Sequence, residues 1–134
     1  MAFTYTAYVN GVAGITISGV TRQYTSPPAT INTADLPASY PRLPGGENET
    51  VTLTYGRGLH TAIVELCVVL EPVRQSSNSV NYTAALTMLD AIKTALTSNA
   101  STYGIDRWGI QIEIDRIGDV DYWQLVARVE GSGV

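Results

Sequence analysis

The stretch LHTAIVELCVVLEPV, residues 59–73, is apolar on both faces of any strand that it forms. Side chains alternate between the two faces of a strand. Between residues 63 and 70 one face is wholly apolar, and the other contains a single charge, Glu65. Such a run is typical of a central strand, and we expect Pro72 to end it because proline cannot donate to the hydrogen-bonded ladder.

Alternating patterns around this strand predict two hairpins. Residues 49–56, ETVTLTYG, alternate apolar side chains with threonines, and the glycines at 56–58 turn the chain into residues 59–73. Residues 105–118 and 122–130 alternate in the same way around an intervening GDVD turn. The apolar positions of this second hairpin are Trp108, Ile110, Ile112, Ile114, Trp123, Leu125, Ala127 and Val129.

Between the hairpins, residues 81–99 change to the period of a helix. Apolar side chains recur three and four positions apart, which predicts an amphipathic helix capped near Ser79 or Asn81. We therefore expect an α+β fold, in which an antiparallel or mixed sheet of two hairpins carries one main helix on one face. The predicted buried stripe of the helix is Tyr82, Ala85, Leu86, Leu89, Ile92 and Leu96.

The N-terminal third of the chain predicts less regular structure. Residues 1–14 are small, aromatic and interrupted by glycine, so we expect a loosely ordered N-terminal arm or a short strand. Residues 15–25 are rich in β-branched side chains and predict a strand. Residues 26–49 contain five prolines and predict a long loop, because proline fixes its own φ and restricts the residue before it. We expect residues 1–134 to form a single domain.

Composition excludes several classes of protein. Charged residues make up 15% of the chain and the net charge is −4, with no basic cluster, so we expect no specific nucleic-acid binding. One cysteine and one histidine permit no internal disulfide and argue against a dedicated zinc site. The N-terminus does not resemble a signal peptide, and no apolar run approaches the roughly 18 residues of a membrane span.

Candidate catalytic groups are few. His60 follows a turn without a second histidine, and Cys67 lies between apolar residues in a strand, so we interpret both as structural. The aspartates of DRIGDVD, residues 115–121, lack the ligand spacing of a calcium loop and indicate a hairpin turn. We therefore predict no catalytic residues, no metal, no cofactor and no enzymatic activity.

Apolar side chains that one helix cannot cover suggest an assembly. The opposite face of the sheet is expected to carry Ile63, Cys67, Val69 and Val126, and the proline-rich segment adds more apolar groups. Sizeable exposed apolar patches mark interaction sites, so we expect the chain to oligomerise or to dock into a larger body.

Five segments together resemble the tail terminator (tail completion) proteins of long-tailed bacteriophages. The resemblance covers most of the chain from Ile15 and depends on element order, size and loop character, with no short diagnostic motif. The N-terminus departs from it, because many members of that family begin with a helix and FTYTAYVNGVAG does not read as one. The segments are ITISGVTRQY, LPASYPRLPGG, ELCVVLEPV, NYTAALTMLDAIKTAL and DRWGIQIEIDRIGDVDYWQLVARVEG.

The resemblance implies a virion protein that assembles in the host cytoplasm into a hexameric ring. That ring would cap the tail tube, contact the tail tube protein and the head–tail connector protein, and let DNA pass through its lumen. An acidic lumen wall would suit DNA passage, and the candidate residues are Glu113, Asp115, Asp119 and Asp121. The stiff loop would clamp a neighbouring subunit or the tube through Leu36, Pro37, Tyr40, Arg42 and Leu43. Deletion of residues 33–44 is then expected to abolish ring formation while the sheet stays folded.

Four alternatives stay open at this point, one of which is an enzyme whose partner chain completes a site around His60. The chain could be another head–tail neck subunit or a tail-tube subunit, which would stack into multiple rings. It could be a small binding module that uses a surface at Trp108 and Trp123 together with the proline-rich loop. The proline-rich loop could also cover its own domain as an Ω-like loop, with no role between subunits.

Overall fold

The computed structural model describes residues 3–43, 53–56, 58–73 and 81–134. The predicted α+β class is confirmed: a mixed six-stranded sheet carries two helices, of which α2 is the main one. Pro44, the predicted strand residues 49–52 and the polar segment 74–80 lie outside the described residues. The elements are α1 (Tyr5–Ala13), β1 (Arg22–Gln23), a 3-10 turn (Thr33–Asp35), β2 (Ala38–Arg42), β3 (Leu53–Gly56), β4 (Leu59–Pro72), α2 (Tyr82–Tyr103), β5 (Ile105–Ile117) and β6 (Val120–Gly133).

β4 is the central strand, as the sequence predicted. The strand order is β1–β2–β4–β6–β5, and β3 pairs with β4 beyond the end of β2. β4 is antiparallel to β2, β3 and β6, and the short β1 is parallel to β2. β5 is antiparallel to β6 and forms one lateral edge of the sheet.

A first core, the helix-side core, fills the space between the sheet and the two helices. Its strand residues include Val64, Leu66 and Val68, and Ile92 and Leu96 contribute from α2. Asn81 caps α2 by accepting a hydrogen bond from the backbone N–H of Ala84, as predicted, and α2 continues past the predicted end at residue 99. The predicted stripe is wrong at Tyr82 and Leu86, which are 74% and 45% exposed; Met88 and Ala95 are buried instead.

The N-terminal arm predicted at residues 1–14 is wrong over most of its length, because residues 5–13 form the helix α1. The Thr4 side chain caps it by accepting a hydrogen bond from the Ala7 N–H at 3.1 Å. Tyr8 and Val12, one helical turn apart, are buried in the helix-side core. An isolated nine-residue helix is marginal in water, so its stability comes from this packing, which the local sequence does not reveal.

The strand predicted at residues 15–25 is also mostly wrong, because only Arg22 and Gln23 are in a strand. Ile15 and Ile17 are buried in the helix-side core from an irregular segment that follows α1. Alternation of buried side chains therefore occurs here without a ladder of strand hydrogen bonds.

The proline-rich segment is a loop only in part, since residues 38–42 form strand β2. The carbonyls of Pro37 and Ser39 accept hydrogen bonds from Thr21 and Tyr24 on the β1 side. Because N–H and C=O groups of alternate residues point the same way along a strand, the nitrogen of Pro41 also faces that side, away from β4. Pro41 thus removes no hydrogen bond to the central strand. Deletion of residues 33–44 would remove β2 and is no longer expected to spare the sheet.

The remaining loop covers the face of the sheet that was expected to stay exposed. Cys67, Val69 and Val126 are buried in a second core, the loop-side core, against which Tyr24 and Leu36 pack. Ile63 stays half-buried outside this core. The other three apolar groups expected to be exposed are covered within the chain, so they give no reason to expect an assembly. The other members of the loop-side core are Ile31, Ala38, Tyr40, Ile117 and Tyr122.

Candidate functional site

A cluster of polar side chains crosses the sheet beside the loop-side core. Arg42, the last residue of β2, places its Nε 3.0 Å from a Glu65 carboxylate oxygen. Its two terminal nitrogens lie 3.1 Å from Glu113 and 3.1 Å from Asp115 on β5. One guanidinium thus faces three carboxylates, which leaves a formal charge of −2. We refer to Arg42, Glu65, Glu113, Asp115 and Gln124 as the Arg42 cluster.

Gln124 on β6 completes the cluster from its buried side. It is fully buried, and its side-chain N–H donates to Glu113 at 3.0 Å and to Asp115 at 3.4 Å. Its side-chain oxygen accepts a hydrogen bond from the Tyr40 hydroxyl at 3.0 Å. Every polar end of Gln124 is therefore paired, and the cluster connects β2, β4, β6 and β5 on one face of the sheet.

The structure brings together residues that the sequence had assigned to two different surfaces. Arg42 was predicted at a partner interface, whereas Glu113 and Asp115 were predicted in a lumen wall, yet they form one ion-paired group. Tyr40 is buried inside the loop-side core, so it is not free to clamp a neighbouring subunit. No local sequence signal joins positions so far apart in the chain.

The other predicted interface residues have mixed positions. Leu36 and Pro37 are half-buried, and Leu36 packs on the chain's own loop-side core. Leu43, immediately after β2, is exposed. The interpretation of the segment as a cover for its own domain therefore describes residues 36–42 better than the interpretation as a free clamp.

Two arginines contact the predicted acidic row and neutralise part of its charge. Asp121 lies 3.8 Å from Arg116, which also donates a hydrogen bond to the backbone carbonyl of Asp119. Asp119 lies in the β5–β6 turn and Asp121 at the start of β6, whereas Glu113 and Asp115 belong to the Arg42 cluster. The row is thus divided into two groups, each with its own cation.

A shallow concavity of about 550 Å³ lies on the same face of the sheet as the Arg42 cluster. It opens at Gly109 of β5, which has no side chain to fill the space. Charged residues such as Arg107 and Glu130 line it. Trp108 packs on the helix-side core, whereas Leu36 of the loop packs on the opposite face. Trp108 and the described part of the loop therefore lie on opposite faces, a geometry that does not favour the alternative binding module.

The two candidate catalytic residues occupy structural positions. His60, near the start of β4, stacks on Phe3 with the ring centroids 6.1 Å apart and contacts Tyr55 at 4.7 Å. Cys67 is a free thiol without solvent exposure in the loop-side core. Burial raises the pKa of this thiol from 9.0 to about 12, so almost no thiolate forms at neutral pH.

The Cys67 thiol is expected to react with a thiol reagent at pH 8 at least about a thousandfold more slowly in the folded chain than in the unfolded chain. Between pH 9.0 and about 12 the unfolded chain loses a proton that the folded chain retains. Stability should therefore fall as the pH rises through this window. Denaturation midpoints at pH 8 and pH 10.5 measure the effect, and the fall should be smaller in Cys67→Ala. Rapid labelling of the folded protein at pH 8 would contradict it.

Large apolar side chains are exposed at both lateral edges of the sheet. Tyr55 and Leu59 are exposed on the β3–β4 hairpin at one edge, on opposite faces of it, because Tyr55 pairs with His60 and Leu59 is the residue before His60. Ile112 and Ile114 lie on β5 at the other edge. The sequence predicted that alternate side chains of β5 are apolar and share one face. It did not show that the second half of β5, with Ile112 and Ile114, extends beyond the helix-side core.

No protein-family model matches this chain, and no curated protein matches it significantly. Among the helices in the described part of the chain, none is both long and apolar enough to cross a bilayer.

Proposed function

We propose that the chain is a structural virion subunit of a long-tailed bacteriophage. In this proposal it is the tail terminator, whose hexameric ring caps the tail tube and contacts the head–tail connector. The ring assembles in the host cytoplasm, and its work is done by complementary surfaces without catalysis or a cofactor. The resemblance of the five sequence segments to tail terminator proteins supports this assignment. The resemblance lies in the element order, in which a proline-rich segment precedes two hairpins joined through a helix.

The observation that carries the proposal is the exposure of apolar side chains at both edges of the sheet. A cyclic ring of identical copies is built from heterologous contacts, in which one surface of a subunit meets a different surface of its neighbour. Leu59 on the β3–β4 hairpin, with Ile112 and Ile114 on β5, gives the subunit two separate exposed apolar positions of this kind. Tyr55 is exposed on the other face of the same hairpin. Apolar groups exposed in such patches are typical of interaction sites.

The N-terminal helix α1 also supports the proposal. The sequence departed from the tail terminator pattern at the N-terminus, because residues 1–14 did not read as a helix. Since Tyr5–Ala13 are helical and pack on the helix-side core, that departure no longer counts against the family.

Replacement of Leu59 by lysine is expected to abolish ring formation, because a charge would lie in an apolar contact between subunits. Leu59 is exposed at the start of β4, so the subunit itself should remain folded. Thr97→Lys is a matched control, because it adds the same charge to the exposed side of α2. Negative-stain electron microscopy with light scattering reads the result, with closed rings expected for the wild type and the control.

Three outcomes decide the assignment. Single hexameric rings that Leu59→Lys disperses support the tail terminator. Stacked rings or tubes in the wild type would favour a tail-tube or other neck subunit instead. A wild-type protein that stays monomeric at micromolar concentration, or rings that persist in Leu59→Lys, would contradict the proposed ring contact.

A further inference from the structure

We propose that the outer edge of β5 is a docking surface for a second copy of this chain, which pairs antiparallel to it with Gln111 on the two-fold axis. β5 spans Ile105–Ile117 and pairs with β6 along its inner edge. In the described ranges no other strand pairs with β5, so its outer N–H and C=O groups lack a ladder partner. An edge strand of this length is a template for a further strand.

Charges on β5 complement those of a second β5 in this register. When Gln111 faces itself, Arg107 lies opposite Asp115, and Asp106, the extra residue of the bulge at the start of β5, comes closest to Arg116. The two-fold axis repeats both pairs, so four pairs of opposite charge form along one edge. Charged residues usually prevent edge strands from pairing, but here they attract a second copy.

Apolar side chains complement each other in the same register. Trp108 lies opposite Ile114, and Ile110 lies opposite Ile112, all on the face that carries α2. Ile112 and Ile114 are 46% and 51% exposed in the single chain. Pairing would cover them with the half-buried Trp108 and Ile110 of the second copy, which removes apolar surface from water.

Other arrangements of the two strands are disfavoured. A slip of one residue places Asp106 opposite Asp115 in one direction, and Arg107 opposite Arg116 in the other. It would also move every side chain to the wrong face. A parallel pair in register would set each charge against its own copy. The alternation of charge therefore favours the antiparallel pair centred on Gln111 over one-residue slips and over the parallel pair.

The Arg42 cluster gives an independent reason for the same arrangement. Two of its three carboxylates, Glu113 and Asp115, lie on β5 itself, and Asp115 keeps 38% of its side-chain surface exposed. In the antiparallel pair, Arg107 of the second copy arrives opposite Asp115. Arg107 pairs with Glu130 in the single chain, and its side chain is 79% exposed. Because of this exposure, its guanidinium can also reach outward to the second copy.

This contact does not depend on the proposed function, and it competes with the proposed ring contact because both would cover Ile112 and Ile114. An isologous contact closes at two copies and cannot by itself generate a ring. A ring that used β5 for its neighbour contact would have to open the pair first. Dimerisation through β5 and ring formation can therefore be measured, and can fail, separately.

Cysteine cross-linking tests the register. In the proposed pair, Gln111 meets its own copy with Cβ atoms about 5 Å apart, within reach of a disulfide. Gln111→Cys is expected to form a covalent dimer on mild oxidation, while the buried Cys67 stays unreactive. Gly109→Cys is the matched control, because open space surrounds that position and its copy would lie about 13 Å away along the strand. Failure of Gln111→Cys to cross-link, or equal cross-linking of both variants, would overturn the register.

A charge swap tests the surface without cysteines. Asp106→Arg alone and Arg116→Asp alone are each expected to weaken dimerisation at least about tenfold in sedimentation experiments, since each creates two like-charge pairs. The double variant should restore dimerisation because the pairs re-form with reversed polarity. Lys93→Glu on α2 is the control for a change in net charge. A monomeric wild type at about 100 µM, or single variants that dimerise as well as the wild type, would overturn the proposal.

Discussion

Replacement of Arg42 by methionine is expected to lower the free energy of unfolding by about 3 kcal/mol, because it removes the guanidinium that pairs with the buried Glu65 carboxylate. The Glu65 side chain is only 10% exposed, and Arg42 Nε is its hydrogen-bond donor at 3.0 Å. The value lies at the low end of the range for broken buried ion pairs, since Arg42 keeps 28% of its side-chain surface in water.

Combining Arg42→Met with Glu65→Gln should recover more than half of that loss, because a neutral amide costs less to bury than an unpaired carboxylate. Arg22→Met is the control: Arg22 pairs with Asp35 at 3.6 Å on the surface, and its loss should cost no more than about 1 kcal/mol. Urea denaturation with an unchanged m-value measures all three variants. Equal effects of Arg42→Met and Arg22→Met would show that the Arg42 cluster does not stabilise the fold.

The second large effect is expected at the junction between α2 and β5. Gly104 ends α2 with a φ of +71°, and a Cβ at this position would lie 2.5 Å from the backbone oxygen of Ser132. The strained backbone costs about 1–2 kcal/mol for an alanine. Displacement of packed backbone adds roughly 1–3 kcal/mol. Gly104→Ala is therefore expected to destabilise the chain by about 2–5 kcal/mol.

Gly58→Ala separates these two causes. Gly58 has a similar φ of +78°, but no atom lies within 4 Å of the position of its Cβ. The control should therefore lose only the backbone contribution of about 1–2 kcal/mol. Thermal and urea denaturation of the two variants give the comparison, and a Gly104→Ala protein no less stable than Gly58→Ala would rule out the steric contact with Ser132.

Elements in which apolar side chains repeat regularly over a long segment could be predicted from the sequence. The central strand β4, the cap of α2 at Asn81 and the alternation of β5 and β6 follow from side-chain periods of about two and 3.6 residues, which the chain carries locally. The wrong prediction of burial at Tyr82 and Leu86 also comes from using a local pattern. An apolar stripe shows which side of a helix faces the sheet, but it does not show how far the sheet extends under the helix.

The candidate site could be predicted only as separate residues. Arg42, Glu113 and Asp115 were each singled out, but the hydrogen bond between Arg42 and Asp115 joins positions 73 residues apart. Charge alternation on β5 was visible in the sequence, and its self-complementary order becomes meaningful only once β5 is known to form an edge of the sheet.

The sequence by itself determined the α+β class, the main helix and the central strand, because each depends on a repeating pattern of apolar side chains within one segment. Tertiary structure decided the rest. α1 is too short to be stable alone and depends on Tyr8 and Val12 in the helix-side core. β2 forms in a proline-rich segment because β4 supplies its hydrogen-bond partners. The loop before β2 covers a face of the sheet that the sequence pattern predicted to be exposed. Contacts between distant segments create these features, so no local pattern encodes them.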